Sequence, residues 1–403
     1  MAANHQRFES LDVLRGIAIL GILVMNIQSF SMPWPAYANP HAFGSLEGIH
    51  GWVSTVSHLF FDTKFYSLFA LLFGAGIALM AEKAVAAARS GAAVHYRRML
   101  FLAVVGLLHG FLLWYGDILF MYAVCGSFAW LLRNRQPLTQ ILIGAGFILF
   151  ALGLSLLYGW SMQFWPEEVL AEMSAIWQEG SPAVQADIVA MSGPWLQQLP
   201  ARAEIYLQVI TFGLIFNVFW HATGLMLIGM ALYRLGIVTA QRSTAFYLRL
   251  ALVGLILGMT LVLYGLASIE ARNWEFPWTK FVGRQFNATA APLMALAYLS
   301  LVMIICQKHW LPRLRQAMSA VGRTAFSNYL LQTVLCTTLF YGHGLGLFGE
   351  LERGQQVLVV LGVWAVQIPL SLWWLRHFSQ GPVEWLWRSF VRLQWQPLRA
   401  RSD

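Results

Sequence analysis

The chain has 403 residues, of which 58% are hydrophobic and only 11% are Asp, Glu, Lys or Arg. Soluble proteins average roughly 45–50% apolar and about 25% charged residues, so this chain has too few charges to cover a surface in water. Its net charge of +8 comes from basic residues spread between apolar runs, whereas nucleic-acid-binding proteins concentrate such charge in a patch. The composition therefore excludes a soluble enzyme, a disordered chain and a nucleic-acid-binding module, and it predicts an all-α polytopic transmembrane bundle.

Ten apolar segments, taken in chain order, reach or approach the roughly 20 residues that a membrane-spanning helix needs. They cover residues 11–30, 59–80, 99–115, 118–132, 139–158, 205–233, 247–269, 287–306, 324–341 and 355–375. The third and fourth segments are separated only by Gly116 and Asp117, which predicts a tight helical hairpin at that point.

The stretch between the fifth and sixth spans, residues 161–203, is too polar to cross a membrane. Trp165, Val169, Met173 and Trp177 recur in it every four residues, which places their side chains on one stripe of a helix. We expect an amphipathic helix that lies on the outer leaflet. A lid over an outward-facing site is the alternative.

The basic residues orient the bundle, because cytoplasmic loops of membrane proteins carry an excess of Lys and Arg. Placing the amino terminus in the cytoplasm puts 20 of the 26 Lys and Arg residues on the cytoplasmic side, five on the other side, and Lys64 inside the second span. Both termini are therefore expected in the cytoplasm. The chain would comprise a membrane region of five helices (1–160), an extracytoplasmic segment (161–203) and a second membrane region of five helices with a basic tail (204–403).

His109 is the main candidate for chemistry. It lies 11 residues after Arg98, about 16 Å along the third span and near the bilayer centre. Asp117 follows eight residues later, so on a continuous helix the two would share a face about 12 Å apart, with room for a water or a substrate group between them and no direct hydrogen bond. Because imidazole takes and returns protons near neutral pH, His109 is a candidate general base. A hydrogen bond that only fixes helix packing is the alternative.

Other polar residues in or near the apolar runs are candidates for substrate or donor binding, since ionisable groups are costly inside a membrane. Lys64 opens the second span together with Asp62, and the two could pair, although residues two apart point to different faces of a helix. We therefore expect Lys64 to pair with Asp117. Asn217 and His221 are one turn apart and should share a face of the sixth span, where a structural role is favoured. His50 lies in the outer loop before the second span.

Asp12 and Arg15 lie three residues apart at the inner end of the first span. This spacing predicts a helical ion pair. The alternative is that Arg15 reaches a phosphate group of a cytosolic ligand.

The three cysteines lie in apolar stretches without a C-x-x-C spacing or a partnered His: Cys125, Cys306 and Cys336. We therefore expect neither a disulfide framework nor a metal site. No permanently bound cofactor is expected.

Six blocks of sequence run in order from the start of the chain to its end. They are R-F-E-S-L-D-V-L-R-G-I-A-I-L-G-I-L-V-M-N from Arg7, K-F-Y-S-L-F-A-L-L-F-G-A-G from Lys64, H-G-F-L-L-W-Y-G-D-I-L from His109, G-L-M-L-I-G-M-A-L from Gly224, V-G-R-T-A-F-S-N-Y-L-L-Q-T from Val321 and F-S-Q-G-P-V-E-W-L-W-R from Phe378. Together they resemble the YeiB-like family of bacterial inner-membrane proteins, a domain of unknown function with a suggested role in transport. The resemblance implies a multi-pass protein of the bacterial inner membrane. Asn328 and Gln332 of the fifth block are further candidates for substrate or donor binding.

The first helix of this family is in turn similar to that of the transmembrane acyltransferase superfamily, which includes the heparan-glucosaminide N-acetyltransferases. Those enzymes pass an acyl group from cytosolic acyl-CoA to a sugar on the far side of the membrane. The shared R-G-x-A helix ends in Asn, which implies a site role for Asn26. Since an amide cannot act as a base, the resemblance leaves that role to His109 first, and second to His50, which lies in the loop where the glucosaminide enzymes keep their His.

Two functions of different classes follow from these observations. The first is an acyltransferase that moves an acyl group from acyl-CoA, as co-substrate, to an extracytoplasmic hydroxyl or amine such as that of a glycan. His109 would then be the base and Asn26 would orient the acceptor, with Asp117 and Lys64 shaping the outer vestibule. Arg15 and the basic inner loops would hold the phosphates of the coenzyme. The second is a small-molecule transporter or exporter that uses the same residues as a proton relay and binding site. A structural subunit without chemistry is a third possibility, and the sequence leaves the oligomeric state open.

Overall fold

The computed structural model describes residues 8–86 and 90–399, and in that part of the chain it contains no β-sheet. Arg7, Arg89 and Arg401, which the charge count and the first sequence block include, lie outside the described residues. The helices of the first part are α1 (Glu9–Ser31), α2 (Pro35–Ala38), α3 (Ile49–Phe60), α4 (Lys64–Ala86), α5 (Gly91–Leu112), α6 (Leu119–Ala129) and α7 (Pro137–Ser161). The remaining helices are α8 (Glu167–Ala175), α9 (Pro182–Ser192), α10 (Trp195–Phe216), α11 (Val218–Arg234), α12 (Thr244–Glu270), α13 (Arg284–Gln307), α14 (Pro312–Arg323), α15 (Ala325–Phe340), α16 (Arg353–His377) and α17 (Pro382–Arg392).

Eight helical segments of the described chain are long and apolar enough to cross a membrane. They are Glu9–Ser31, Ile49–Ala86, Gly91–Leu112, Pro137–Phe164, Trp195–Phe216, Thr244–Glu270, Thr279–Gln307 and Arg353–His377. The predicted all-α polytopic bundle is thereby confirmed. Three stretches that were predicted to span contain shorter helices, namely the apolar segment Leu119–Leu132, α11 and α15.

The predicted sixth span, residues 205–233, is not one helix. Asn217 has φ −139° and ψ −71°, which lies outside the helical region and interrupts the regular backbone geometry. Helix α10 ends before this residue and α11 begins after it. The main-chain N–H of His221 donates to the carbonyl oxygen of Asn217 at 3.0 Å, so the two are one turn apart as predicted. Asn217 is exposed at the break while His221 is buried inside the bundle, so they do not share one environment.

Short polar signals set several helix ends. Met32, which precedes a proline, is extended and ends α1, as expected for a residue before proline. Ser181 accepts a hydrogen bond from the main-chain N–H of Val184 at 3.3 Å, and Pro182 occupies the first turn of α9. Ser243 caps α12 in the same way. A serine side chain at this position accepts a hydrogen bond from an otherwise unpaired N–H group of the first helical turn. A proline there has no N–H group to leave unpaired.

The main core lies between α1, α4, α11 and α13, where Leu14, Leu68, Met226 and Leu299 are buried. Helices α4 and α11 approach each other closely, because an added Cβ at Gly74 would lie only 1.9 Å from the carbonyl oxygen of Met226. Small residues permit such contacts between helices in membranes.

Large apolar side chains point outward from the peripheral helices. Examples are Leu142 on α7, Ile256 on α12 and Leu358 on α16, all of which are exposed. Exposed apolar faces of this extent mark a surface that is covered by something other than water. In a bundle with eight apolar spans, lipid is the covering medium.

Helix α9 and the turn that precedes it pack against other loops of the protein. The indole Nε1–H of Trp177 donates to the carbonyl oxygen of Trp274 at 2.9 Å, and Asn39 Nδ2 donates to the carbonyl oxygen of Trp177 at 2.9 Å. Asp187 on α9 accepts a hydrogen bond from the main-chain N–H of Trp34 at 3.0 Å. Trp177 and Asp187 are both buried by these contacts. These contacts join α9 and the turn before it into one layer with the loops at Trp34, Asn39 and Trp274.

Burial of Asp187 makes the stability of this layer depend on pH. Burial raises the pKa of this carboxyl to about 6, partly offset by the hydrogen bond from Trp34 and reinforced by the negative charge of Glu204. The folded state then binds more protons than the unfolded state between about pH 4 and pH 6, so stability falls as the pH rises through that window, by about 3 kcal/mol in total. Asn can accept the same hydrogen bond without carrying charge. We expect Asp187→Asn to remove this slope and to raise the melting temperature at pH 7.

Thermal unfolding of the detergent-purified protein from pH 4 to pH 7.5 measures this effect as the difference between wild type and variant. Glu179→Gln is the matched control, because Glu179 is exposed in the same segment. A wild-type slope that persists in Asp187→Asn would show that another group titrates.

Candidate active site

The turn between α5 and α6 places Asp117 beside His109. Helix α5 ends at Leu112, and the main-chain N–H groups of the next two residues both donate to the carbonyl oxygen of His109 at 2.9 Å. The chain then reverses through Gly116, where an added Cβ would lie 2.3 Å from the indole of Trp114. Glycine is required at that point because no side chain fits.

His109 and Asp117 therefore bond directly, and the expected separation of about 12 Å is wrong. His109 Nδ1 lies 2.8 Å from Asp117 Oδ2. The expectation treated the two residues as members of one continuous helix, whereas α5 ends between them. No space for a water or a substrate group is left between the imidazole and the carboxylate.

The second imidazole nitrogen of His109 faces Thr333 on α15. The Nε2 atom lies 2.9 Å from Thr333 Oγ1. His109 and Asp117 are each 2% exposed and Thr333 is fully buried. The three side chains thus form a continuous chain of hydrogen bonds, carboxylate to imidazole to hydroxyl, which we call the buried triad.

The surroundings of Asp117 fix both its position and the tautomer of His109. Its Oδ1 atom accepts the main-chain N–H of Phe120 at 3.0 Å, and the hydroxyl of Tyr206 lies 3.4 Å from the same atom. A Cβ at Gly106 would lie 2.8 Å from that oxygen, so α5 must carry glycine there. Because a carboxylate only accepts hydrogen bonds, Nδ1 of His109 carries the proton and Nε2 accepts from the hydroxyl.

Aromatic side chains enclose the imidazole. The ring centroid of Tyr329 lies 5.2 Å from that of His109, and Trp114 presents its edge at 6.2 Å. Trp114 in turn stacks on Phe30 of α1 at 4.0 Å. The imidazole is therefore buried among aromatic rings, where a low local dielectric strengthens the hydrogen bonds of the buried triad.

Thr333 lies on α15, and the first turn of that helix is bonded to Glu384, a residue of the last of the six sequence blocks. The carboxylate of Glu384 on α17 accepts hydrogen bonds from the main-chain N–H groups of Phe326 and Ser327 at 2.7 and 3.2 Å. It therefore caps α15 from another helix, where a negative charge is also favoured by the helix dipole. Burial raises the pKa of Glu384, and these hydrogen bonds oppose the shift.

Lys64 does not pair with Asp117. Its Nζ is fully buried and donates to the side-chain oxygen of Asn287 and to the carbonyl oxygen of His58, the latter at 2.7 Å. Asp117 is already bonded to His109, and the expected pair is therefore wrong. Asn287, the first residue of the predicted eighth span, was not anticipated as a partner.

Asp62 is the carboxylate at the centre of this second cluster. It accepts from Asn287 Nδ2 at 3.0 Å and from Arg284 Nη2 at 3.3 Å, and its Oδ2 atom lies 3.2 Å from His58 Nδ1. The cluster joins the α3–α4 junction to the start of α13.

The remaining histidine and asparagine candidates form no hydrogen bond with His109 among the described residues. Asn26 is half-buried on α1, and both imidazole nitrogens of His109 are bonded to Asp117 and Thr333 rather than to Asn26. His50 Nδ1 accepts the main-chain N–H of Gly354 at 3.2 Å, at the start of α16. His221 stacks on Tyr66, with ring centroids 6.0 Å apart.

Asn328 and Gln332 of the fifth block bond between helices. Asn328 Nδ2 donates to Ser371 Oγ on α16 at 2.9 Å. Gln332 Nε2 donates to the carbonyl oxygen of Ile19 on α1 and to Gln367 Oε1 on α16, both at 3.1 Å. These bonds lock α15 against its neighbours, and they set the position of Thr333.

The predicted ion pair at the start of α1 is confirmed. Arg15 Nη1 lies 3.3 Å from Asp12 Oδ1. In the described residues no group of three or more His, Cys, Asp or Glu side chains is arranged to hold a metal ion.

Comparison with known proteins finds the family described as "Protein of unknown function (DUF418)" over residues 232–394. The chain is 34% identical over 389 residues to the protein YeiB of Escherichia coli, with 96% of each chain covered. It is 29% identical over 422 residues to the protein YxaH of Bacillus subtilis, covering 99% of this chain and 98% of that protein. A 39.9 kDa protein from the amylase 3′ region of Bacillus acidopullulyticus is 25% identical over 409 residues. No solved structure matches the chain.

Proposed function

The chain belongs to the YeiB-like family of DUF418 proteins, and from that premise we propose that it is an acyltransferase of the bacterial inner membrane. The acyl donor is a cytosolic acyl-CoA, and the acceptor is a hydroxyl or amine on the extracytoplasmic side, such as that of a glycan. The observation that carries the proposal is the buried triad of Asp117, His109 and Thr333. An acid–imidazole–hydroxyl chain of this kind activates a hydroxyl for attack on an acyl carbonyl.

The proposed reaction has two halves. In the first, Thr333 Oγ1 attacks the thioester carbonyl and His109 Nε2 takes the hydroxyl proton. The carbon–sulfur bond then breaks, the departing thiolate takes the proton from His109, and Thr333 carries the acyl group as an ester. In the second half, the acceptor gives its proton to His109 as it attacks this ester, and Thr333 leaves and is reprotonated. Asp117 keeps its charge throughout and stabilises the imidazolium that forms twice.

The test uses the full chain in lipid nanodiscs with acetyl-CoA labelled in the acetyl group. We expect release of free CoA thiol and an acetyl label on the α15 peptide that contains Thr333. Thr333→Val should carry no label. Thr337→Val, the same change one turn further along α15, should keep it, because Thr337 Oγ1 bonds only within its own helix.

A second candidate function is a proton-coupled small-molecule transporter. It is favoured by the linked polar groups of Tyr206, Asp117, His109 and Thr333, since buried titratable chains in membrane bundles serve as proton relays. Acyl-CoA distinguishes the two functions, because a ligand at a hundredfold excess over its Kd stabilises the protein by about 2.7 kcal/mol. An unchanged melting temperature with acetyl-, succinyl- and palmitoyl-CoA, together with no thiol release, would reject acyl transfer and favour transport.

A further inference from the structure

Arg98, on the second turn of α5, is a buried cation with no anionic partner in the part of the chain that the structure describes. It is 7% exposed, and its Nη1 atom donates to the sulfur of Met80 at 3.0 Å. Its Nε–H is buried without an acceptor, and no carboxylate within residues 8–86 and 90–399 forms an ion pair with it. A buried charge that is neither paired nor fully hydrogen-bonded is strongly unfavourable. Within residues 8–86 and 90–399 the chain supplies no anion to this guanidinium.

A second guanidinium faces the same point. A Cβ added to Gly76 on α4 would lie 3.8 Å from Arg15 Nη2 and 3.8 Å from Arg98 Nη1. The two cations thus converge on the backbone of Gly76, and of the two only Arg15 forms an ion pair among the described residues, with Asp12. The Arg15 side chain is 30% exposed, so the space is reached from the end of the bundle where α1 begins.

Aromatic rings support Arg98 from two sides. Its guanidinium carbon lies 4.5 Å from the ring centroid of Phe73 and 5.0 Å from that of Trp387 on α17. The indole Nε1–H of Trp387 is itself buried without an acceptor. Stacking holds a guanidinium in one plane and leaves its N–H edge free to donate.

We propose that Arg15, Arg98 and Gly76 form a binding site for a phosphate group of a ligand that enters from the cytoplasmic end of the bundle. Two guanidinium groups offer the forked, charge-assisted donors that phosphate oxygens accept. Glycine places no side chain between them, and an added Cβ would lie at contact distance from both. Two sources supply this chemistry, a soluble phosphorylated metabolite or the headgroup of a phospholipid. The site stands independently of acyl transfer, because it rests on the unbalanced charge of Arg98.

Pyrophosphate is the probe for a soluble ligand, with the full chain in neutral detergent. At a hundredfold excess over its Kd we expect the melting temperature to rise by roughly 3 °C. Arg98→Gln should weaken binding about tenfold or more. Arg97→Gln is the matched control, because it removes the same charge from the neighbouring residue. It should bind pyrophosphate as the wild type does, since the Arg97 side chain donates to the carbonyl oxygen of Val391 at 3.1 Å and not to the proposed site.

Gly76→Ala tests the site without removing a charge. Its Cβ would stand at ordinary contact distance from both guanidinium groups, so the fold should persist while pyrophosphate binding falls. Arg98→Met should raise the melting temperature of the ligand-free protein, because it removes an unbalanced buried cation. A ligand-free Arg98→Met that melts below the wild type would contradict the inferred charge imbalance.

The lipid arm uses native mass spectrometry of protein released from phosphatidylglycerol nanodiscs. Retention of one phosphatidylglycerol that is lost in Arg98→Gln and kept in Arg97→Gln, with no response to pyrophosphate, would identify a headgroup site. A pyrophosphate response without lipid retention would identify a soluble ligand. The proposal fails if neither probe distinguishes Arg98→Gln from Arg97→Gln, whatever the outcome of the acetyl-CoA labelling.

Discussion

Replacing Asp117 with Asn should lower acyl transfer roughly 10²–10⁴-fold while the protein stays folded. The main-chain N–H of Phe120 donates to Asp117 Oδ1 at 3.0 Å. The side chain at residue 117 must therefore keep an oxygen that accepts this hydrogen bond. The amide oxygen of Asn takes that place and its NH₂ group faces His109. The imidazole then carries its proton on Nε2 and can no longer accept one from Thr333.

Single-turnover kinetics with acetyl-CoA measures this loss. The rate of acyl transfer in His109→Ala should be lower than that of the wild type by a similar factor. Asp187→Asn is the matched control, since it changes another buried carboxylate, on α9, that is not part of the buried triad. Near wild-type turnover in either Asp117→Asn or His109→Ala would remove the buried triad from the mechanism.

Asp62→Ala should lower the free energy of unfolding by about 3–5 kcal/mol, the range for breaking a buried ion pair from one side. Asp62 is buried and binds Arg284 and Asn287, while Lys64 is fully buried in the same cluster. Without the carboxylate, two cations remain in a low-dielectric environment with one acceptor fewer. Thermal or denaturant unfolding in detergent measures the change.

The double variant Asp62→Ala/Arg284→Met separates lost charge balance from lost packing. It should recover part of the stability, because one of the uncompensated cations is removed with the carboxylate. Glu275→Ala provides the baseline: Glu275 is exposed near the same end of α13, and its removal should change stability by less than about 0.5 kcal/mol. A double variant less stable than Asp62→Ala would show that charge balance is not what the cluster contributes.

The membrane bundle follows from the sequence because long apolar runs dominate it and need no tertiary information. The break at Asn217 was missed because hydrophobicity continues across it, from Phe216 to Val218, and carries no sign of a local change in backbone dihedral angles. The ion pair of Asp12 and Arg15 was predicted correctly because both residues lie on one regular helix, where spacing determines proximity.

The candidate site was harder to predict because it depends on chain reversal and long-range packing. Reading His109 and Asp117 on one helix gave the wrong distance, although Gly116 between them marked the turn. Thr333 lies 224 residues from His109. Nothing in the sequence distinguishes Thr333 from Thr337, whose hydroxyl donates to a carbonyl oxygen of its own helix. The packing of α15 against α5 determines which of the two threonines contacts His109.

The division of the buried triad along the chain limits which fragments can work. The DUF418 match covers residues 232–394, a stretch that contains Thr333 but neither His109 nor Asp117. A protein made only of that stretch would keep the hydroxyl and lose both the imidazole and the carboxylate. Under the proposed acyl transfer, residues 232–394 hold one of the three groups of the buried triad. Co-expression of residues 1–231 with residues 232–403 would supply the other two.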